Sequence, residues 1–169
     1  MRNKAILGLL FAMILTPLAA PAWAVNDEPP ETADDMSPLI ERSDLIALAH
    51  VIELRPELNK TNVKLTVDEV YKGPADLKQI ELQHGGGKHL VAPNEPVFKS
   101  YDKAILYLQK GPDGVYRCVD GAQGMKQILN DNVYVVPGNF FASTPFKKYR
   151  KLLTDRLAAQ GSTKPAGTA

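Results

Sequence analysis

Short apolar stretches separated by Gly, Pro and Asn predict a body built mainly from β-strands. Residues 45–54 are strongly apolar, a pattern typical of a strand buried on both faces. Across residues 63–70 apolar and polar residues alternate, but the alternation slips at Asp68 and Glu69 before Val70 resumes it. A slip of this kind indicates a β-bulge, and bulges bend strands where a sheet closes into a barrel.

Turn signals further along the chain divide it into shorter strands. We expect strands over residues 79–83, 103–108, 115–119, 126–129 and 133–136. Ile80 and Leu82 would face inward. The last two strands would form a hairpin around Asn130, Asp131 and Asn132.

Helices are predicted on both sides of this strand region. Ser37 and Pro38 are typical of the start of a short helix, with Ser37 as the capping residue. In the same way, residues 143–145 (Ser-Thr-Pro) predict the start of a longer helix that runs to Gln160. The predicted fold class is therefore mainly β: an OB-like five-stranded barrel plus an extra hairpin, with a short N-terminal and a longer C-terminal α-helix.

Three stretches of the strand region resemble the OB-fold barrel of netrin-like domains and tissue inhibitors of metalloproteinases. They are SDLIALAHV at residues 43–51, VDEVYKGP at residues 67–74 and DKAILYL at residues 102–108. The DGAQG turn at residues 120–124 resembles one found in uncharacterised exported bacterial proteins of similar layout. The resemblance implies a closed barrel over residues 43–124.

The inhibitor activity of that family does not follow from the resemblance. Those inhibitors chelate a protease zinc with the amine and carbonyl of an N-terminal Cys that a disulfide holds in place. Here Cys118 is the only cysteine, and the mature chain would begin at Val25 on an acidic segment. Metalloprotease inhibition is therefore an alternative function that rests on fold resemblance alone.

The N-terminal residues have the pattern of a secretory signal peptide. Arg2 and Lys4 precede an apolar run too short to span a bilayer, and Ala22-Trp23-Ala24 has the small-x-small form of a cleavage site. We expect cleavage after Ala24 and a periplasmic or secreted location. Residues 25–36 would form a flexible acidic leader, residues 37–160 the OB-like barrel with its terminal helices, and residues 161–169 a disordered tail.

The balance of charge narrows the class of partner. The chain has 20 Lys and Arg against 19 Asp and Glu, so no overall charge draws it to nucleic acid or to anionic lipid. A basic helix over residues 145–160 is compatible with a membrane surface, but its apolar face is also what packing on a barrel requires. We expect no nucleic-acid partner and no transmembrane segment in the mature form.

A glycine run after the third strand is the candidate binding loop. Gly85-Gly86-Gly87-Lys88-His89 lacks the spacing of a phosphate-binding loop and leads into an irregular connection instead of a helix. It is either a flexible strand connection or, since OB-folds bind ligands through loops, a recognition surface. We place that surface on residues 85–99, with His84, Gly86, Lys88 and His89 as binding residues and Tyr71 and Lys72 as candidate neighbours.

The same segment supplies a metal-binding alternative. His84 and His89 flank the glycines and could combine with Asp102, Glu95 or Cys118. A metal site needs three or four ligands in fixed geometry, however, and none of these spacings is diagnostic. We therefore predict no metal and no cofactor.

The sequence contains no recognisable arrangement of catalytic residues. No serine lies in a Gly-x-Ser-x-Gly motif, and the paired acids at residues 34–35 and 68–69 fall in the leader and at the bulge. We expect Cys118 to be a buried, unreactive thiol and His50 to be a core or surface histidine. The sequence thus predicts a non-catalytic binding module whose partner is a protein, a peptide or a component of the cell envelope.

Overall fold

The structure is a computed structural model that describes residues 36–90, 92–135 and 142–161. The predicted signal peptide, residues 25–35 of the predicted leader and residues 162–169 of the predicted tail lie outside the described residues. Within those described ranges, no helix combines the length and the apolar character needed to cross a bilayer.

β-strands are the main regular structure of the described chain, with one helix before the strands and one after them. The elements are α1 (Ser37–Arg42), β1 (Leu45–Pro56), β2 (Lys60–Lys72), β3 (Gln79–Gly85), β4 (Lys103–Lys110), β5 (Tyr116–Cys118), a 3₁₀ helix (Gly121–Gly124), β6 (Met125–Leu129), β7 (Asn132–Tyr134), β8 (Ser143–Pro145) and α2 (Phe146–Ala159). Each strand that the alternation predicts is present, and β8 is an addition to them.

Strands β1 to β5 close into a barrel. β1 pairs antiparallel with β2 on one side and with β4 on the other, and β2 pairs antiparallel with β3. The ring closes through β5, which is antiparallel to β4 and parallel to β3, where Leu82 faces Tyr116. β6, β7 and β8 extend the sheet from β4. The predicted OB-like barrel with an extra hairpin is therefore confirmed.

The predicted bulge lies where the alternation slips. Leu48 pairs with Glu69 and Ala49 pairs with Val67, which leaves Asp68 as an extra residue on β2. The extra residue increases the local bend and twist of the strand, which helps β2 to follow the curve of the barrel.

The Asp68 side chain also contacts His50. The Nδ1 atom of His50 lies 3.0 Å from Asp68 Oδ1, and Lys103 Nζ lies 3.1 Å from Asp68 Oδ2. Both side chains flank the bulge at the protein surface. His50 is therefore a surface histidine and not a core histidine.

Both faces of β1 are buried, so this strand contributes to two separate apolar cores. Leu45, Ala47, Ala49 and Val51 point into the barrel and pack with side chains from β2, β3 and β4. The interior core also contains Val63, Leu65, Ile80, Leu82, Phe98, Ala104, Leu106, Leu108 and Met125. Ile80 and Leu82 thus face inward, as predicted.

The opposite face of β1 is covered by both helices and by the β6–β7 hairpin. We call this region the helix-covered face; it comprises Met36, Leu39, Ile40, Ile46, Leu48, Tyr71, Ile105, Tyr107, Val119, Val133, Val135, Tyr149, Leu153 and Leu157. Two polar contacts are buried here: the Tyr107 and Tyr149 hydroxyls lie 2.9 Å apart, and Lys126 donates from Nζ to the Val135 carbonyl at 2.8 Å. The buried Tyr71 hydroxyl, in contrast, has no hydrogen-bond partner within the described residues.

The predicted start of the long helix is wrong at residues 143–145. These residues form β8, which pairs with β7, and α2 begins only at Phe146. The Phe146 amide donates to the Asp131 carbonyl at 2.8 Å, so the β-pairing continues to the first residue of the helix. Ser143 pairs with Tyr134 in that ladder and does not cap α2.

The N-terminal helix also differs by one residue from its prediction. Met36 occupies the capping position of α1, and Ser37 is the first helical residue. Met36 is only 4% exposed, because its side chain packs in the helix-covered face. The predicted flexible leader therefore does not extend to Met36.

Candidate binding surface

The glycine run is tied to the turn between β1 and β2. The Gly86 amide donates to the Asn59 carbonyl at 3.0 Å, and the Lys88 amide donates to the Glu57 carbonyl at 2.9 Å. The Gly87 amide donates to the Leu90 carbonyl, also at 2.9 Å. A phosphate cradle needs free amides at these positions, so the arrangement does not suit a nucleotide phosphate. These hydrogen bonds also show that the segment is not a flexible strand connection.

Two of these positions require glycine because the backbones approach so closely. A Cβ atom on residue 87 would lie 2.2 Å from the Glu57 carbonyl oxygen. Gly86 has a φ of +89°, and a Cβ atom there would lie 2.9 Å from the Leu90 carbonyl oxygen. The glycines therefore fix the position of the loop instead of loosening it.

The DGAQG turn holds the same connection at a second point. The Ala122 amide donates to the Asn94 carbonyl at 2.6 Å. A Cβ atom on residue 121 would lie 2.0 Å from the Asn94 carbonyl oxygen, so glycine is required there as well. Asp120 in turn pairs with Arg42 of α1. The connection is thus anchored to the folded body on two sides.

The connection ends in a tight turn that exposes an aromatic ring. The Asp102 amide donates to the Lys99 carbonyl at 3.1 Å, and the Lys99 amide donates to Asp102 Oδ2 at 2.9 Å. Tyr101 occupies this turn with a φ of +67°, although its side chain is bulky, and it is 86% exposed. Strained backbone of this kind is concentrated at functional sites.

A cavity of about 280 Å³ lies between the glycine run and the rest of the connection. It is lined by Leu54, Pro56, Thr61, His84, Gly85, Gly86, Gly87, Leu90, Ala92, Glu95, Pro96, Val97 and Phe98. The ring centroids of His84 and Phe98 are 5.6 Å apart. We call this cavity, together with the adjoining Leu58, the glycine-loop surface.

Large apolar side chains on this surface are exposed. Leu58 is 71% exposed, Val97 is 66% exposed and Leu90 is 50% exposed. Single exposed apolar residues are ordinary, but a group around a cavity is typical of a binding site. The backbone of the glycine run beneath them is anchored, so its position is set before any partner arrives.

Hydrogen bonding determines which polar groups the cavity offers. The Nδ1 atom of His84 lies 2.6 Å from the Gly85 carbonyl oxygen, and a carbonyl can only accept, so Nδ1 carries the proton. In the neutral imidazole, Nε2 is then a hydrogen-bond acceptor. Thr61 Oγ1 donates to the Gly86 carbonyl at 3.0 Å, which occupies the hydroxyl proton.

The structure brings together only some of the predicted binding residues. His84 and Gly86 line the cavity, and Lys88 and His89 are exposed on the adjoining loop. Tyr71 and Lys72 are not neighbours of this surface, and that prediction is wrong. Lys60 at the start of β2 pairs with Gly85, whereas Tyr71 and Lys72 lie at the other end of the strand.

Those two residues have structural contacts instead. Tyr71 is buried in the helix-covered face, and burial raises the pKa of its hydroxyl. Lys72 donates from Nζ to the Ile40 carbonyl at 2.8 Å, which ties β2 to α1. Both therefore belong to the packing of the helices on the barrel.

The residues of the metal-binding alternative do not form a ligand set in the described part of the chain. No group of three or more His, Cys, Asp and Glu side chains there could hold a metal ion. Cys118 is partly buried, and burial, with a smaller contribution from the charge of Glu95, raises the pKa of its thiol to about 12. The thiol is therefore protonated at neutral pH, the unreactive form.

A larger cavity of about 460 Å³ lies on the outer side of β1, β2 and β3, and several of its polar groups pair with one another. Arg55 Nε lies 2.6 Å from Glu53 Oε1, and Asn62 donates from Nδ2 to Glu57 Oε1 at 2.6 Å. Gln83 donates from Nε2 to Asn62 Oδ1 at 2.8 Å. The smaller cavity, in contrast, is bordered by the exposed apolar side chains of Leu58, Leu90 and Val97, so we place the candidate site there.

Four residues of the glycine-loop surface, Leu54, Pro56, Leu58 and Thr61, were missed by sequence reasoning, whereas the others lie at His84 or within the predicted residues 85–99. Leu58 and the β1–β2 turn lie far from the glycines along the chain and reach them only because β2 pairs with β3. Phe98 is 8% exposed, but nothing in the sequence of this irregular loop distinguished it as a buried residue. The available signal was the set of apolar residues Leu90, Val97 and Phe98 within a connection otherwise rich in Pro and polar residues.

The chain was also compared with known proteins, in sequence and in structure. The expected likeness to netrin-like domains and tissue inhibitors of metalloproteinases rests on the sequence stretches alone. The residue that would start an inhibitor-like mature chain, Val25, lies outside the described residues. No protein-family model, no curated protein and no solved structure matches this chain.

Proposed function

We propose that this protein is an exported, non-catalytic binding module that recognises a protein, a peptide or an envelope component through its glycine-loop surface. The observation that carries the proposal is the group of exposed apolar side chains, Leu58, Leu90 and Val97, around an apolar-walled cavity. Export rests on the signal-peptide pattern of residues 1–24.

Preorganisation of the loop favours binding as its role. The amides of Gly86, Gly87 and Lys88 and the contact of Ala122 with Asn94 fix the loop backbone. A partner then loses little additional loop entropy when it binds, because the loop is already ordered. Loops positioned by a rigid barrel are the usual place of recognition in folds of this kind.

The proposal is tested by capture from the cell-envelope extract of the source organism, with retained proteins identified by mass spectrometry. The bait is the protein expressed from its complete sequence, beside the double variant Leu90→Ser and Val97→Ser. Both substitutions replace exposed side chains, so the fold should survive them, as checked by circular dichroism. We expect a partner that the wild-type bait retains and the double variant loses.

A matched control is available on α2. Leu152 is 37% exposed on α2 and lies outside the glycine-loop surface, so Leu152→Ser should retain the same partner. Loss of the partner from both baits, or from the Leu152→Ser bait alone, would contradict the proposed surface.

A further inference from the structure

We infer that the cavity of the glycine-loop surface takes a positively charged group on an apolar stem, that is, a lysine or arginine side chain of the partner. The inference rests on the proposed function and deepens it, because it specifies the chemistry that the surface recognises. It follows from the size of the cavity and from the polar groups that its wall leaves open.

The cavity is small. Sites for whole small molecules occupy about 300–1,000 Å³, and this cavity measures about 280 Å³. It is therefore near the lower limit for a small-molecule site and can also hold a single side chain. Its walls at Leu54, Leu90 and Phe98 are apolar, which matches the methylene stem of a long side chain.

Five hydrogen-bond donors around this cavity are already used. Gly86, Gly87 and Lys88 donate their amides to backbone carbonyls. Thr61 donates its hydroxyl to the Gly86 carbonyl, and His84 donates Nδ1 to the Gly85 carbonyl. An anionic or purely accepting ligand would thus find these groups occupied.

Two side-chain acceptors, in contrast, are open. Glu95 lines the cavity, and its Oε1 lies 3.2 Å from the position that a Cβ atom on Gly85 would occupy. Within residues 36–90, 92–135 and 142–161, the Glu95 carboxylate makes neither an ion pair nor a side-chain hydrogen bond. His84 Nε2 is a second acceptor in the neutral imidazole.

A half-buried carboxylate against apolar walls loses hydration without gaining a partner. A cation on an apolar stem supplies what the wall lacks: its charge pairs with Glu95, one of its N–H groups can donate to His84, and its stem covers the apolar residues. Charge-assisted hydrogen bonds of this type are stronger than neutral ones. The charge on Glu95 therefore favours a basic side chain over an apolar one.

The test compares two capped tripeptides, Ala-Lys-Ala and Ala-norleucine-Ala, which share an apolar stem and differ in the terminal ammonium. Binding to the protein, expressed from its complete sequence, is followed by NMR shifts of the backbone amides of residues 84–90, 92, 94, 95, 97 and 98. We expect the lysine peptide to shift these amides and to bind about tenfold more tightly than the norleucine peptide, a difference typical of one charge-assisted contact.

Glu95→Gln removes the charge with little change of shape. In that variant we expect the lysine peptide to bind no more tightly than norleucine, whose own affinity should be unchanged. Glu81→Gln is the matched control, because Glu81 is an exposed carboxylate on the same strand as His84 but lines the other cavity. It should leave both peptides unaffected. The wild-type comparison of the peptides needs no variant and stands even if Glu95→Gln fails to fold.

Equal binding of the two peptides, or tighter binding of norleucine, would overturn the inference about charge and leave the proposed function in place. A lysine peptide that shifts none of these amides would also overturn it. Failure of the proposed function is a separate result, namely a partner captured from the envelope extract whose retention does not depend on Leu90 and Val97.

Discussion

The helix-covered face and the glycine-loop surface use the same strand, β1, in opposite ways. Ile46 and Leu48, near the start of β1, are sealed beneath α1 and α2. Leu54 and Pro56, near its end, line an open cavity. Apolar burial is thus completed on one part of the barrel and left incomplete on another.

The two regions also differ in the hydrogen bonding of their polar side chains. Beneath the helices, the Tyr107 and Tyr149 hydroxyls contact each other, and Lys126 reaches a backbone carbonyl. At the glycine-loop surface, the Glu95 carboxylate lines an open cavity and makes no ion pair or side-chain hydrogen bond with the other described residues. We infer from this difference that the helix-covered face serves stability and the glycine-loop surface serves recognition.

The largest effect should come from emptying the helix-covered face. Leu153 is fully buried there, and Leu153→Ala should lower the free energy of unfolding by about 2–5 kcal/mol, because it leaves a cavity. Urea denaturation followed by circular dichroism measures the change. Leu152→Ala, on the exposed side of the same helix, should change it by less than about 0.5 kcal/mol. Similar losses in the two variants would remove the distinction between the faces.

Gly87→Ala should have a smaller effect on stability and should also affect binding. The added methyl would meet the Glu57 carbonyl, and relief of that overlap should cost about 1–3 kcal/mol of stability and displace the loop that binds the partner. The control is Gly111→Ala, whose nearest neighbours are the movable ends of Arg117 and Asp113. We expect the control to keep both its stability and its partner. Wild-type binding by Gly87→Ala would show that loop position does not matter.

The tyrosine contact should contribute less. Tyr107→Phe and Tyr149→Phe each remove one hydroxyl of the buried pair, and each should lower the free energy of unfolding by about 0.5–1.5 kcal/mol. In a double-mutant cycle the two losses should not add, because either substitution removes the shared hydrogen bond. Strict additivity would mean that the hydroxyls do not interact. Partner capture should be unchanged in all three variants.

The smallest effect concerns Cys118 and appears only in alkaline solution. Its thiol has a pKa of about 12 in the folded protein, whereas a thiol in an unfolded chain ionises near pH 8.5. Below about pH 8.5 both states hold the proton and stability is unaffected; above it the unfolded chain alone loses the proton, so stability falls as pH rises toward 12.

The fall should be less than about 1 kcal/mol at pH 9 and should be absent in Cys118→Ala. Urea denaturation of both proteins across this pH range measures it. Iodoacetamide should label the wild-type thiol at pH 8 only after denaturation, because only the thiolate is reactive. Rapid labelling of the folded protein would contradict the burial of the thiol.

Local sequence patterns were sufficient to predict the barrel but not to predict which residues are in contact. Alternation at residues 63–70 showed both the strand and its bulge, because each depends on the period of a single strand. Residues 143–145 have the sequence of a helix start, yet they pair with β7, and that partner is invisible in a local window. Tertiary pairing overrode the local signal there.

The site shows the same limit. His84 and Gly86 were predicted because glycine runs stand out in a sequence. Leu58 was missed because it reaches the glycines only through the pairing of β2 with β3. Tyr71 was misplaced because β2 runs the length of the barrel and carries it away from the loop. Contacts that depend on strand register can be predicted only when the register is known.

Site-specific photo-crosslinking in the source cells tests most directly whether the glycine-loop surface is the recognition surface. A benzophenone amino acid replaces Leu58, Leu90 or Leu152 in separate variants, and adducts are identified by mass spectrometry after irradiation. We predict one shared adduct from the variants at Leu58 and Leu90 and none from the variant at Leu152. An adduct formed from Leu152 alone would contradict the account, because it would place recognition on the helices that we assign to stability.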